Sequence, residues 1–343
     1  MSMSEERLVT TDELFEEGWV DGLPVVLPTE NRVADMLSAT RRKSDEVIGY
    51  VAPLMGEATV ESVAVNAVMA GCKPDYFPVV LAAVEAVIDD RFNLNGVQAT
   101  THCVAPLVVV SGPIRHKIGL NCGANVFGQG FRANATIGRA LRLILINIGG
   151  GVPGVTDKST FGHPGKYTFC IGENEEESPW EPLHVEKGLA GEASAVTVFG
   201  AEAPHSFEDH VSDTGERILL TVSQSLATLG NNNLVCHGDL MVVFSPEHAQ
   251  TIFESGFSKH DVKQYIYEKA RLPWHLVKNV ECWDKALWPK WIDTDNPEEM
   301  IPLVDGFEDI HVMVAGGPGR FTMGLPGWGK LGGFAVTKEI QGL

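Results

Sequence analysis

The 343-residue chain is short of basic residues, with 26 Lys and Arg against 45 Asp and Glu. The formal net charge of −19 repels phosphate backbones and anionic lipid surfaces, which argues against a nucleic-acid partner or a membrane partner. A site for a small anion must therefore be local, built from a few arginine side chains and backbone N–H groups.

Long apolar runs and paired cysteines are also lacking. No run reaches the roughly 20 apolar residues that a membrane-spanning helix needs. Residues 1–17 are acidic and polar without a charged-then-apolar signal pattern, so we expect a cytoplasmic protein. The six cysteines form no CxxC pair, which disfavours a zinc knuckle or a dithiol redox motif and predicts mostly free thiols.

The apolar pattern predicts an α/β fold, with mixed sheets and helices on their faces. Nearly continuous apolar runs are typical of buried strands and occur at residues 104–111, 195–199, 240–244 and 310–315. Helical spacing predicts one hairpin of helices around Gly71 and another around Gly256, the latter with a Ser258–Asp261 capping box. Two further helices, at 134–146 and 216–229, are expected to be largely buried.

Two loops resemble each other. Gly112-Pro-Ile-Arg-His-Lys-Ile-Gly-Leu120 shares its Gly, Pro, Arg, Gly and Leu positions with Gly317-Pro-Gly-Arg-Phe-Thr-Met-Gly-Leu325. The match predicts that the two loops superpose, and it suggests two interlocked, duplicated halves. We place the halves at residues 1–150, with a glycine-rich anion loop, and 151–343, with a glycine-rich lid loop.

The stretch 119–138 is the densest candidate for binding chemistry. Its glycines allow close backbone approach, and a helix begins near its end, where free N–H groups attract anions. The spacing is neither that of a P-loop nor that of a Rossmann loop. A packing turn with solvated arginines is the alternative. The predicted substrate-binding residues here are Arg115, Asn121, Gly123, Asn125, Arg132 and Asn134, with Arg320 as the counterpart of Arg115.

Catalytic candidates come from this loop and from the lid loop. Cys122 lies among N–H groups and arginines that would favour its thiolate, although a buried inert cysteine is the alternative. His163 is the expected general acid or base, supported by Asp157 or Lys158. Ser159 and Thr160 would bind substrate, and residues 149–166 would close over Cys122. A solvated polar loop remains the alternative.

The remaining titratable residues give weaker signals. A metal site would need convergence of several residues among Glu173, Glu175, His184, His205 and His210, whose spacing follows no ligand pattern, so no metal ligand is assigned. Cys72 and Cys282 are predicted to be structural, and the role of Cys103, which follows His102, is left open. Cys236-His237 points to opposite faces of a strand and is no couple by itself.

Three stretches resemble a bacterial family. They are Asp21-Gly-Leu-Pro-Val-Val-Leu-Pro-Thr29, Ala133-Asn-Ala-Thr-Ile-Gly-Arg-Ala-Leu-Arg142 and Val314-Ala-Gly-Gly-Pro. Together they look like the largely uncharacterised family associated with UGSC-motif selenoproteins. The resemblance implies a cytoplasmic bacterial enzyme or enzyme subunit and supplies no substrate. The chain has no equivalent of the UGSC motif itself, so the resemblance does not extend to a selenol-type redox role.

These observations favour an enzyme that acts on a small anionic molecule, with a carboxylate as the expected anionic group. The expected chemistry is acid–base or thiolate-assisted addition–elimination or hydrolysis. A metal-dependent hydrolase and a non-catalytic binding or scaffolding subunit are the alternatives, and the cofactor is left open. Seven tryptophans, four of them between Trp274 and Trp291, suit a homo-oligomer or partner contact as well as a core.

Overall fold

The computed structural model describes residues 11–278 and 288–342. Its helices are α1 (Thr11–Glu16), α2 (Glu30–Leu37), α3 (Val60–Ala70), α4 (Phe77–Val87), α5 (Leu94–Ala99), α6 (Ile114–Lys117), α7 (Arg132–Asn147), α8 (Leu183–Glu186), α9 (Gly215–Leu226), α10 (Asn232–Cys236), α11 (Pro246–Glu254), α12 (Lys259–Lys269) and α13 (Trp274–Val277). Its strands are β1 (Val47–Val51), β2 (Gly56–Thr59), β3 (Ala105–Ser111), β4 (Cys170–Gly172), β5 (Ala195–Ala201), β6 (His205–Glu208), β7 (Leu240–Phe244), β8 (Arg271–Pro273), β9 (Met300–Pro302), β10 (Ile310–Val314), β11 (Phe321–Pro326) and β12 (Val336–Glu339).

Two four-stranded mixed sheets form the centre of the fold. Sheet A has the order β12-β5-β3-β4, and sheet B has the order β10-β7-β11-β6. In sheet A, β3 is parallel to β4 and antiparallel to β5, which is antiparallel to β12. In sheet B, β7 is parallel to β10 and antiparallel to β11, which is antiparallel to β6. The predicted α/β class with mixed sheets is confirmed.

The sheets are interlocked because they exchange edge strands. Strand β6 follows β5 of sheet A along the chain but pairs in sheet B, and β12 follows β11 of sheet B but pairs in sheet A. Sheet A, taken in the order β4, β3, β5 and β12, therefore has the same series of parallel and antiparallel pairs as sheet B, taken in the order β10, β7, β11 and β6. Duplication of the two halves stays a hypothesis, which this shared order supports. The seam expected near residue 150 does not separate the sheets, since sheet A takes β3 from one side of it and three strands from the other.

Helices cover the outer faces of both sheets, and the inner faces pack on each other. The outer face of sheet A packs against α3, α4 and α7, and that of sheet B packs against α9, α11 and α12. Between the sheets, Leu107, Val109 and Phe199 meet Met241 and Val243. Because both faces of the strands are buried, their sequences are continuously apolar rather than alternating.

Local signals for the helix hairpins are confirmed. Gly71 ends α3 in the left-handed conformation, with φ of 90°, which a glycine adopts without a Cβ penalty. Ser258 and Asp261 form the predicted capping box at the start of α12. The helices expected near 134–146 and 216–229 are α7 and α9; α7 is largely buried, whereas α9 buries only one face.

The prediction that the two Gly-Pro-x-Arg loops superpose is wrong. Residues 114–117 form the helix α6, whereas residues 321–326 form the strand β11. The loops also follow strands in unequal positions, since β3 is central in sheet A and β10 lies at the edge of sheet B. The five shared residues therefore do not mark equivalent points of the fold.

An ion-pair cluster joins α8 to α12. The carboxylate of Glu186 lies 2.7 Å from the Lys259 ammonium and also contacts that of Lys263. Burial alone would raise the pKa of Glu186, but the two ammonium groups outweigh it and lower the pKa to about 2. This Glu186 cluster fixes α12 against the segment that follows β4.

Candidate functional site

The glycine-rich loop that follows α6 packs against the loop after β10. The Gly316 N–H donates to the Cys122 carbonyl at 2.9 Å. A Cβ at Gly317 would lie 2.7 Å from the Ala124 side chain, so glycine is required at this close approach. The cavity between the two loops has a volume of about 410 Å³ and, within the described chain, no arginine or lysine lines it. A charged ligand has no cationic partner there.

The three arginines predicted to bind an anion are already used by protein oxygens. Buried Arg115 lies 3.0 Å from the carboxylates of both Glu175 and Glu176. Arg132 and Arg320 donate to main-chain carbonyl oxygens. This arrangement does not support the expectation that these side chains hold a substrate, because internal acceptors satisfy them.

The predicted amide donors hold the glycine loop itself. Asn134, on α7, accepts from the Asn121 N–H at 2.8 Å and donates to its carbonyl at 2.9 Å. The Gly123 N–H donates to the Asn121 side chain at 3.0 Å, and the Asn125 side chain donates to the carbonyl of Gln129 at 2.8 Å. These bonds close the loop onto the start of α7, and of the four residues only Asn125 lines the cavity.

Cys122 is half-buried, and the nearest Arg115 nitrogen is 3.7 Å from its Sγ. Burial raises the pKa of the Cys122 thiol, and the guanidinium of Arg115 opposes the shift without reversing it. The thiolate is therefore not favoured at neutral pH, contrary to the expectation from the sequence. Cys72, predicted to be structural, is fully buried with its pKa raised to about 12, and Cys282 lies outside the described residues.

Cys122 and His163 lie at opposite ends of β4. The imidazole of His163 packs on Phe169, just before the strand, with ring centroids 5.5 Å apart. Cys122 lies beside the strand's last residue, where a Cβ on Gly172 would be 3.1 Å from the Cys122 Cβ. In this arrangement residues 149–166 lie away from Cys122, and their closure over it stays a prediction.

The lid loop instead forms one wall of a different cleft. This cleft has a volume of about 670 Å³, within the usual range for small-molecule sites. The opposite wall is the turn at residues 18–22, and the floor is the face of α7 that carries Arg142 and Ile146. The remaining lining residues are Gly151, Val152, Pro153, Gly154, Asp157, Ser159, Phe161, Gly162, His163, Pro164, Lys166 and Tyr167.

Arg142 is the most unusual group in this cleft. Its side chain is only 7% exposed, yet it has no hydrogen-bond or ion-pair partner among residues 11–278 and 288–342. The carboxylate of Asp21 binds Arg139 instead, at 2.7 and 2.8 Å. Burial lowers the pKa of Arg142, and the fields of Asp157 and Asp21 only partly compensate. Its nitrogens are not among the fully buried polar atoms that lack a partner, so the guanidinium meets solvent through the cleft. An anion bound there would give it a charge-assisted partner in place of water.

Lys166 provides a second cation on the same cleft. Its ammonium lies 2.6 and 2.8 Å from the two carboxylate oxygens of buried Asp157. Burial lowers the pKa of Lys166, the hydrogen bond to Asp157 opposes this, and the charge of Arg142 lowers the pKa further. We refer to Arg142 and Lys166 as the cleft cations. The single negative charge of Asp157 stands against their two positive charges.

The other residues predicted on the lid loop divide into two groups. Ser159 and His163 line the cleft beside Asp157, whereas Lys158 and Thr160 are exposed and outside its lining. His163 accepts from the Gly165 N–H through Nδ1 at 3.1 Å, and its Nε2 is buried. Burial lowers the pKa of His163. The imidazole thus shapes the turn, and neither nitrogen is directed at the cleft for proton transfer.

Sequence reasoning did not assign either cleft cation. Lys166 lies in the lid loop but was not among the predicted site residues. Arg142 lies in a helix predicted to be buried, between Leu141 and Leu143. A charged residue in such a helix needs a partner, and this was the available signal.

Two groups of side chains have the donor atoms of a metal site. Glu173, Glu175 and His184 converge within 4.8 Å, and so do His102, Cys103 and Glu202. The first group contains three of the five residues considered from the sequence; His205 and His210 are exposed on and after β6.

The carboxylates of the first group already have internal partners. Both oxygens of Glu173 accept from the Leu183 N–H at 3.0 Å, and one accepts from the Ser111 hydroxyl at 2.7 Å. Burial raises the pKa of Glu173 to about 7. Glu175 pairs with Arg115. We therefore assign this group a structural role.

Comparison of the sequence with protein-family models gives no match, and comparison with curated proteins finds no similar chain. The resemblance to the family associated with UGSC-motif proteins therefore stays a prediction, and the function must be argued from the site.

Proposed function

We propose that the cleft binds a small molecule with a carboxylate or phosphate group, and that the protein is an enzyme acting on it. One observation carries the proposal: Arg142 is buried, unpaired within the described chain, and lines the cleft. An anion bound there would supply the missing partner through charge-assisted hydrogen bonds.

The residues that line the cleft also indicate what the rest of the bound small molecule is like. Apolar side chains of Val20, Ile146, Val152 and Phe161 surround the charged floor. Such a mixture of apolar walls and a few polar groups is typical of small-molecule sites. We expect an anionic head at the cleft cations and a small apolar body towards the lid loop.

Lys166 is the group best suited to proton transfer. Its lowered pKa brings its ammonium closer to neutral pH, where general acids and bases are most effective. Asp157 holds the ammonium in place through both oxygens. The proposed reaction is therefore acid–base addition–elimination on an anionic substrate. Lys166 takes the role that the sequence had suggested for His163, and the thiolate of Cys122 has none.

The test is anion binding by wild-type protein and by the variants Arg142→Met and Arg142→Lys. Phosphate, small mono- and dicarboxylates and phosphate monoesters are titrated by calorimetry, with thermal shift as a second measurement. Each charge-assisted hydrogen bond contributes about 1.5–3 kcal/mol, so Arg142→Met should weaken binding by roughly 10- to 100-fold. Arg142→Lys should keep part of it.

Arg132→Gln is the matched control, because Arg132 lies on the same helix but donates to the carbonyl of Gly71. It should bind the anions as the wild type does. Equal binding by wild type and Arg142→Met, or equal loss in Arg142→Met and Arg132→Gln, would contradict the proposal.

A specific observation also favours the non-catalytic alternative, a subunit that contacts a second copy or another protein. Phe161 is 92% exposed at the cleft mouth, and Val155 on the same loop and nearby Leu54 are also exposed. Exposed apolar groups of this size commonly mark contact surfaces. Light scattering of wild type and Phe161→Ser tests this; a change from oligomer to monomer supports it, and a monomeric wild type opposes it.

Of the described helices, none has the length and apolar character to span a membrane.

A further inference from the structure

A second group of reactive side chains lies at the end of sheet A where the central strand β3 begins and the central strand β5 ends. His102 and Cys103 precede β3, and Glu202 follows β5 directly. Antiparallel pairing of Ala105 with Ala201 brings these two chain segments side by side. Nitrogen, sulfur and oxygen donors of the three side chains lie within 4.8 Å of one another.

The donors are arranged by the surrounding structure. His102 Nε2 lies 2.6 Å from a carboxylate oxygen of Glu202, and a metal ion bound by both atoms would replace this hydrogen bond. Its Nδ1 is buried and has no hydrogen-bond partner in the described part of the chain. The His102 N–H donates to the Thr100 hydroxyl, which also accepts from the indole of Trp328. The segment before β3 is thus held in place by hydrogen bonds that do not use the three donors.

We propose that His102, Cys103 and Glu202 form a binding site for a Zn²⁺ ion. A thiolate, an imidazole and a carboxylate are ligands that Zn²⁺ accepts together, whereas Mg²⁺ and Ca²⁺ prefer oxygen donors alone. Three protein ligands leave one tetrahedral position for water or another molecule, as in catalytic zinc sites. All three residues are partly exposed, so an ion can enter.

Charge also favours a cation at this group. The site would combine two anionic ligands with a neutral imidazole, and the nearby Lys166 ammonium is neutralised by Asp157 at 2.6 Å. The other candidate group, around Glu173, differs because the guanidinium of Arg115 already binds its Glu175. The group around His102 can therefore accept a cation, whereas a cation at the group around Glu173 would have to compete with the guanidinium of Arg115.

The site is connected to the lid loop but does not depend on the anion proposal. The Thr160 N–H donates to the Thr101 carbonyl at 2.9 Å, next to His102. Zinc binding and anion binding are measured separately, so one result can fail without the other.

The experiment titrates reduced, chelator-treated full-length protein with Co²⁺ and then with Zn²⁺. Cobalt bound by a thiolate gives a near-ultraviolet charge-transfer band, and Zn²⁺ should abolish it at one equivalent. Cys103→Ser should lose the band and bind Zn²⁺ at least 10- to 100-fold more weakly in competition with a chromophoric chelator. Glu202→Gln should weaken Zn²⁺ binding while keeping the band. Cys122→Ser is the matched cysteine control and should behave as the wild type.

A second measurement needs no variant. Zn²⁺ should slow alkylation of Cys103 in the wild-type protein, mapped by mass spectrometry, and leave Cys122 unaffected. The proposal is overturned if no one-to-one complex forms, if the band survives Cys103→Ser, or if Cys103 is alkylated equally fast with and without Zn²⁺.

Discussion

Replacing Arg142 with methionine should stabilise the empty protein. Arg142 is 7% exposed, and its guanidinium makes no hydrogen bond or ion pair in the described chain, so its removal breaks none. Methionine keeps much of the aliphatic length and needs no desolvation of charge. Replacing buried ion pairs with apolar side chains of similar volume is often neutral or stabilises proteins by about 1–4 kcal/mol. We expect a gain of about 1–3 kcal/mol in the free energy of unfolding.

Arg139→Met provides the comparison, because Arg139 lies one turn earlier on α7 and has the opposite environment. Its partner, the Asp21 carboxylate, is 3% exposed and 2.7 Å away. Removing Arg139 strands a buried carboxylate, which costs about 3–5 kcal/mol. Two arginines three residues apart on one helix should therefore respond to the same substitution with opposite signs.

The assay is denaturant unfolding of wild type and both variants, with unchanged m-values as the condition for comparison. Saturating anion should stabilise the wild type by about 2.7 kcal/mol at a hundredfold excess over Kd, and Arg142→Met should gain almost nothing. If Arg142→Met loses more than about 1 kcal/mol without anion, the guanidinium has a structural partner and the argument for an anion site fails.

Three further predictions concern charges whose environments differ. Asp157→Asn leaves both cleft cations uncompensated and should cost about 3–5 kcal/mol, part of which Arg142→Met should restore in the double variant; additive losses in denaturant unfolding would contradict this. Because the pKa of Glu186 is lowered to about 2, its contribution is present above the unfolded pKa of about 4.3 and lost as pH falls towards 2. Glu186→Gln should therefore lower the free energy of unfolding at pH 7 by about 2 kcal/mol after allowance for partial exposure, and have little effect near pH 2. The pKa of Glu173 is raised to about 7, so its contribution is complete below about pH 4.3 and lost as pH rises through 7. The Tm of Glu173→Gln minus that of the wild type should be more positive at pH 8 than at pH 5. The same difference at both pH values would refute this.

Local features of the fold were predictable because their causes are local. Gly71 ends a helix in the left-handed conformation, and Ser258 caps a helix together with the acidic residue three positions later. Both features depend only on residues within one helical turn. The match between the loops at 112–120 and 317–325 was misleading, because neighbouring strands decide whether such a segment becomes a helix or a strand.

The arginines that were predicted to bind an anion have internal partners for a related reason. An arginine beside glycines attracts a ligand only if no internal acceptor reaches it first, and Arg115 meets the carboxylates of Glu175 and Glu176, about sixty residues later in the chain. Such long-range competition is invisible to spacing. Arg142 shows the reverse case: its surroundings in sequence are apolar, and only the tertiary structure shows that no acceptor reaches it.

The direction of a single strand explains why the predicted catalytic pair is separated. Cys122 follows β3 and therefore lies at the edge of sheet A where β3 ends, whereas His163 precedes β4. Because β4 runs parallel to β3, the segment before β4 must lie towards the opposite edge, where β3 begins and the antiparallel β5 ends. An antiparallel β4 would have brought His163 to Cys122. The parallel pairing instead gathers the lid loop and the His102–Cys103–Glu202 group at one edge, so both the proposed anion cleft and the proposed zinc site follow from the topology of sheet A.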